Sequence, residues 1–234
     1  MESVKPQAEM PKARRAAPGG SGAAQERILA AALAVFTEHG LEAATLRQIT
    51  ERAGVNLAAV SYYFGSKDNL VRQTLERLTA PYVAARLAAL DACEAEADGG
   101  APVLERVIEA IVRPTVQLTR DPTGGRSLIR LLLQVRARPR DATTGFFVER
   151  MDPAAHRFVA ALARALPDTG RDVLFWRYTF ALGALVQVLT DADPQLMRLK
   201  RLSEGLCDTD DEEEIIAQLV AFVATGFRAP PPPG

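Results

Sequence analysis

The 234-residue chain has two cysteines, two histidines and one tryptophan, and each scarcity closes a door. Cys93 and Cys207 lie far apart and fit no metal-ligand spacing, which excludes a disulfide framework and a zinc finger. They read as two packed or surface thiols in a reduced, cytosolic protein, with a redox sensor as the other reading. His39 stands beside Gly40, where a cation suits the negative end of a helix. His156 has no serine or acid at catalytic spacing, so no Ser-His-Asp set forms. The Gly19–Gly22 stretch lacks the lysine and the preceding strand of a phosphate loop. No uninterrupted run of 18 apolar residues exists, so no membrane span is expected, and the N-terminus has no signal-peptide core. Charge of one sign is missing too: the formal net charge is −1. The acidic run Asp208–Glu214 lacks the sixth-position glycine of a calcium loop and instead suits the N-terminus of the helix after it. No cofactor or metal is called for.

What is present is concentrated in residues 45 to 67, TLRQITERAGVNLAAVSYYFGSK. Thr45 and Gln48 have the spacing of a capping box. Leu46, Ile49 and Ala53 then share one helical face, and Gly54 ends the helix without strain in a left-handed conformation. Asn56 caps a second short helix, which Val60 with Tyr63 or Phe64 packs back on the first. Gly65 stops it, and Ser66 caps a third helix with Lys67 in its first turn. Two short helices about a tight turn place the second where it enters the major groove of DNA. Asn56, Ala58, Ala59, Ser61 and Tyr62 are then left facing the bases, small residues allowing close approach and Tyr62 offering apolar contact to a thymine methyl. Thr45, Arg47, Tyr63 and Lys67, with free N–H groups of the helix starts, suit phosphates. The first 80 residues carry 10 Lys and Arg against 8 Asp and Glu, so shape rather than bulk charge must carry binding, and a modest salt dependence is expected.

These residues, with the preceding helix ILAAALAVFTEHG, AGV at 53–55 and YYFGSK at 62–67, resemble the tetracycline-repressor (TetR) family of bacterial transcription regulators over about a fifth of the chain. The resemblance places Thr45, Tyr63 and Lys67 where the family contacts phosphates and residues 56–62 where it reads bases. Leu57 stands where many members have a basic residue, which weakens a phosphate contact there, and Thr50 replaces a small alanine.

After Leu70 the pattern is helical throughout, at about 67–97, 102–120, 126–137, 143–166, 171–190 and 211–228, without repeats or period-two alternation. Pro81 is expected to kink or divide the first of these, and Pro114 to bend the second and open space in the core. Pro114, Leu128, Leu132, Phe146, Phe147, Met151, Phe175 and Trp176 are the candidate lining of an apolar ligand pocket with few acids. The segment FFVERMDPAAHRFVAALARALP with LFWRYTFALGAL is similar to the C-terminal domains of fatty-acid- or acyl-CoA-responsive members, which implies a small lipophilic effector. The helix at 171–190 is apolar nearly all round and the one at 211–228 is strongly apolar, more surface than one small domain needs. Leu182, Leu185, Val186, Leu189, Leu219, Phe222 and Val223 are the candidate contacts of a two-fold, four-helix dimer interface, the role these helices have in the resembled family.

The expected organisation is an all-α chain: a disordered arm (1–22), a three-helix DNA-binding head (23–67), a dimerising, effector-binding bundle (68–228) and a Pro-rich tail (229–234). The arm has Lys5, Lys12, Arg14 and Arg15, and acts as a solubilising tail or reaches the DNA. The expected function is a cytoplasmic homodimeric repressor of a palindromic operator, released by a lipophilic effector such as a fatty acid or acyl-CoA, with no membrane partner. A constitutive DNA-binding factor and an all-helical enzyme are the rivals, the latter without any catalytic motif.

Overall fold

The structure, a computed structural model, describes residues 20–120, 125–139 and 141–230. The arm up to residue 19, with its four basic residues, and residues 121–124, 140 and 231–234 lie outside the described residues. Among the described residues there are eleven α-helices, one π-helical turn and no strand. They are α1 (Gly20–Ala43), α2 (Leu46–Ala53), α3 (Leu57–Phe64), α4 (Lys67–Glu96), α5 (Leu104–Arg120), α6 (Gly125–Ala137), α7 (Asp141–Phe146), the π turn (Phe147–Met151), α8 (Asp152–Ala165), α9 (Arg171–Asp191), α10 (Arg198–Leu202) and α11 (Glu212–Arg228).

The punctuation read from the sequence explains where the short helices stop. Gly40 has φ 82° and ψ 160°, so α1 breaks beside His39 before a last turn. Past that break, the N–H of Leu41 donates to Gln134 Oε1 of α6 at 3.1 Å. Thr45 and Gln48 form the reciprocal capping box of α2, and Gly54 closes it at φ 64°, ψ 40°. Asn56 and Ser66 cap α3 and α4 with their side-chain oxygens. Pro81 does not divide α4: thirty residues run on as one helix, about 45 Å at ~1.5 Å per residue.

Two apolar clusters hold the molecule. The first joins Ile28, Ala32, Val35 and Phe36 of α1 to Ile49, Val60, Phe64 and the start of α4 at Leu70, Val71 and Leu75. Leu131 and Val135 of α6 and Phe146 of α7 complete it, so the head rests on the body and not on its own three helices alone. The second cluster gathers α5, α8, α9 and α11 around residues such as Val107, Ile111, Phe158, Leu162, Leu174, Leu185 and Phe227. Each such fully buried side chain is worth roughly 1.5–3 kcal/mol in transfer free energy. Arg113 to Glu213 and Arg228 to Glu105 lace α5 to α11 in antiparallel fashion. Asp211 caps α11 by accepting from Glu214 N at 3.1 Å, and Lys200 holds Asp210, which accounts for the acidic run.

α9 is long and apolar enough, by length and composition, to cross a membrane, contrary to the expectation from uninterrupted runs. Here it is a packing element. Leu174, Tyr178, Ala181, Leu185 and Leu189 face α8, α5 and α11, and a second apolar stripe on α9 faces outward.

Candidate nucleic-acid interface and the cavity behind it

At the tip of the head, α3 presents one polar and small-residue face. Asn56, Ala58, Ser61 and Tyr62 are exposed, and Tyr62 is 82% accessible. The Tyr62 ring stands edge-on to Tyr63 at 5.0 Å, so packing fixes its direction. Ala59 corrects an expectation: it is half-buried and packs against the head cluster, because it shares the inward face with Val60 and Tyr63. Asn56 Oδ1 is engaged by Ala59 N at 2.9 Å, which leaves the amide NH2 as its outward group.

The groups flanking α3 are held but not consumed. Arg47 pairs with Glu51 at 2.8 Å on the exposed face of α2, a contact worth little in water and easily exchanged. Lys67 Nζ donates to the carbonyl of Glu42 at 3.1 Å, which docks the start of α4 on the end of α1. Tyr63 is half-buried. On the back of α2, Arg52 reaches Glu38 of α1 at 2.7 Å, and that hydrogen bond lowers the carboxyl pKa of Glu38. α2 is thereby braced against α1 from behind, and the outer face of α3 is bare in front.

Behind the head, α4, α5, α6, α8, α9 and the π turn enclose a cavity of about 360 Å³. Leu132, Phe147, Met151 and Phe175 line it, as the sequence suggested. Four other proposed lining residues do not. Phe146 is fully buried in the head cluster, since adjacent residues at the end of α7 must point apart. Leu128 borders a separate cleft against Leu29 and Pro81. Pro114 faces an open groove between α4 and α5, shared with Pro81. Trp176 lies 64% exposed on the outside of α9.

The cavity is also less uniformly apolar than expected. Arg86 of α4 is 2% exposed and borders it, with its guanidinium 4.7 Å above the Phe158 ring. Its Nη1 donates to the Tyr82 hydroxyl at 3.1 Å and its Nη2 to the Tyr178 hydroxyl at 3.2 Å. Burial works against the charge, but the two tyrosine oxygens favour it and leave the pKa raised, so Arg86 is a cation. Thr115 lies 3.2 Å from the Tyr82 hydroxyl, and His156 stacks edge-on with Phe175 at 5.7 Å. Sequence reasoning missed Arg86, Tyr82, Thr115 and Tyr178. One signal was available: Tyr82, Arg86, Leu90 and Cys93 recur on a single helical stripe, which places an arginine in line with core residues.

The residues proposed for a dimer face divide the same way. Leu185, Leu189, Leu219 and Val223 are buried within the chain, and Leu182, Leu185 and Val186 line the cavity. Only Phe222 among them is exposed, at 69%, beside Phe180 at 63% and Trp176. The outward stripe therefore lies on a different face of the helix from the one expected. Among the described residues no cluster of three metal-ligating side chains occurs.

A capped, outward helix-turn-helix at the tip of a helical, cavity-bearing body defines a class, the DNA-binding transcriptional regulators of the helix-turn-helix type. Residues 28–74 match the family model described as "Bacterial regulatory proteins, tetR family", and residues 109–226 match "Tetracyclin repressor-like, C-terminal domain". The chain belongs to the TetR family of bacterial DNA-binding transcriptional regulators. Over 47 residues it is 53% identical to the HTH-type transcriptional dual regulator CecR of Shigella flexneri, covering 20% of this chain and 21% of that one. The chain spans between 21% and 42% of the length of the curated relatives it matches. Similar solved structures include the regulator PfmR of Thermus thermophilus and the fatty acid degradation regulator FadR of Bacillus halodurans. The first is 19% identical, with a TM-score of 0.57 and coverage of 89% of this chain and 98% of that one. The second is 15% identical, with a TM-score of 0.57 and coverage of 86% and 98%. They share the fold.

Proposed function

We propose that the protein is a homodimeric repressor that binds a palindromic operator in the cytoplasm and lets go when a small lipophilic effector fills the cavity. Its DNA-binding head is residues 23–67 and its effector-binding, dimerising body is 68–228. Asn56, Ala58, Ser61 and Tyr62 read bases, and Thr45, Arg47, Tyr63 and Lys67 hold phosphates. Two heads on half-sites about one helical turn apart, ~34–36 Å, add their free energies.

One observation carries the effector reading: the walls of the cavity are the supports of the head. α4 contributes Tyr82 and Arg86 to the cavity and Lys67 to the head. α6 contributes Leu132 and Leu133 to the cavity, while its Leu131, Gln134 and Val135 hold α1 and the head cluster. Phe146 and Phe147 touch at 5.5 Å, one ring in the head cluster and the other in the cavity wall. A compound that prefers a shifted α4 and α6 moves the reading helix with them, and a preference of a few kcal/mol suffices.

The dimer reading rests on the exposed stripe of Trp176, Phe180 and Phe222. The Trp176 and Phe180 rings lie 5.8 Å apart, and a shallow groove between α9 and α11 runs beside them. Selection of genomic fragments with the purified chain tests the whole. Enrichment of a two-fold symmetric sequence, and its release by a cavity-filling compound, is the expected result. Recovery of no sequence, or of an asymmetric one bound by a single chain, rejects it.

A further inference from the structure

Arg86 is a buried cation without a buried anion. Its partners among the described residues are two tyrosine hydroxyls and two aromatic faces, and its Nε has no hydrogen-bond acceptor at all. A charge in this position is strongly disfavoured unless something compensates it. The cavity it borders is the one place from which compensation can come. Asp152 and Arg136 also border that cavity, but both are exposed to solvent, whereas Arg86 is buried. Tyr178 accepts from Arg86 and keeps its own hydrogen for a second donor beside the guanidinium.

We infer that Arg86 is the recognition point for a carboxylate, and that the effector is an amphipathic free acid whose anionic head pairs with Arg86 and the Tyr178 hydroxyl. The inference rests on the proposed effector cavity and narrows its ligand. The acid's apolar part lies along Ile129, Leu132, Leu133, Phe147 and Phe175. A buried guanidinium beside one hydroxyl matches a single carboxylate, since charge-assisted bonds of this kind are short and strong. A phosphate dianion would leave its second charge uncompensated among apolar walls. A coenzyme A thioester presents only a neutral carbonyl at the acyl end, so it leaves Arg86 as unpaired as before. At about 360 Å³ the cavity is at the small end of ligand sites, roughly 300–1,000 Å³, and suits an acid of modest length.

Calorimetric titration of the purified full-length protein with octanoate, decanoate, dodecanoate and phenylacetate, each beside its methyl ester, and with decanoyl-CoA, tests this. The expected result is that an acid binds ~10-fold or more tightly than its ester and than the thioester, the factor a charged hydrogen bond supplies. Arg86→Met should bind acid and ester alike, and Leu132→Trp, which fills the cavity and leaves Arg86 in place, should bind neither. Equal affinity of the wild type for acid and ester, or a preference for the thioester, overturns the carboxylate inference and leaves the effector cavity standing. Failure of every acid to bind overturns it too. The effector reading itself then stands or falls separately, on whether any uncharged compound releases the selected operator.

Discussion

In the proposed reading, Tyr62, Lys67 and Arg86 divide the functional work between a front, a hinge and an interior. Tyr62 projects from α3 with nothing in front of it, so Tyr62→Ala should cost about 1–3 kcal/mol of operator affinity and relax preference at one base position. Lys67 bonds the Glu42 carbonyl and is proposed to hold a phosphate rather than a base, so Lys67→Ala should weaken binding to all sequences alike and flatten the salt dependence. Fluorescence anisotropy on the selected operator and its single-base variants separates the two, and equal affinity of both mutants with wild type would mean the docking is wrong. Arg86→Met removes a buried charge with no carboxylate to orphan. Thermal unfolding without ligand should therefore show an unchanged or raised Tm, whereas breaking a buried ion pair costs ~3–5 kcal/mol.

The helices follow from local rules, and their docking follows from ion pairs and caps that can be tested singly. Removing the Thr45 hydroxyl breaks the side-chain half of the α2 capping box, and Thr45→Ala should destabilise the head by about 0.5–2 kcal/mol in chemical denaturation. The α5–α11 seam predicts a pH dependence. The Arg113 hydrogen bond lowers the pKa of Glu109 and of Glu213, and the Arg228 hydrogen bond lowers that of Glu105, each from an ordinary value of 4.5. A carboxylate with a depressed folded pKa contributes stability that is fully present above its unfolded pKa. The contribution is lost as pH falls through the folded value. The contribution of this seam to Tm should thus be flat above pH 4.5 and fall below it, and Glu109→Gln should reduce the slope of that acid limb. At this scale the sequence was most legible. Gly54, Gly65, Thr45, Asn56 and Ser66 act through their own backbones and nearest turns, so spacing alone located them. The ends of the expected helices from α4 onward fell within about two residues of the periodic pattern for the same reason. The exceptions are the π turn inside the expected 143–166 helix, the short α10 in the stretch expected as a break, and the uninterrupted run through Pro81, which depend on what packs beside them.

At the scale of the whole molecule, the proposed dimer makes a prediction of its own. Phe180→Glu with Phe222→Glu should give monomers in sedimentation velocity and lower operator affinity by far more than either head mutant, since half of the additive contacts are lost. Retention of the dimer by the double mutant would place the interface elsewhere. The stripe was mislocated from sequence for a physical reason. α9 is apolar nearly all round, so its periodicity has amplitude but no phase, and nothing local says which face meets α8 and which is left outside. Trp176 and Leu185 exchange roles on that account.

By itself the sequence determined the helical class, the caps of α2, α3 and α4, and the outward face of α3, because these rest on interactions within a few residues along the chain. The tertiary structure decided which of the neighbours Phe146 and Phe147 enters the head and which the cavity, which stripe of α9 is left bare, and that Arg86 is buried. Each of those is set by where distant helices cross, and an arginine reads as solvated until a second helix covers it.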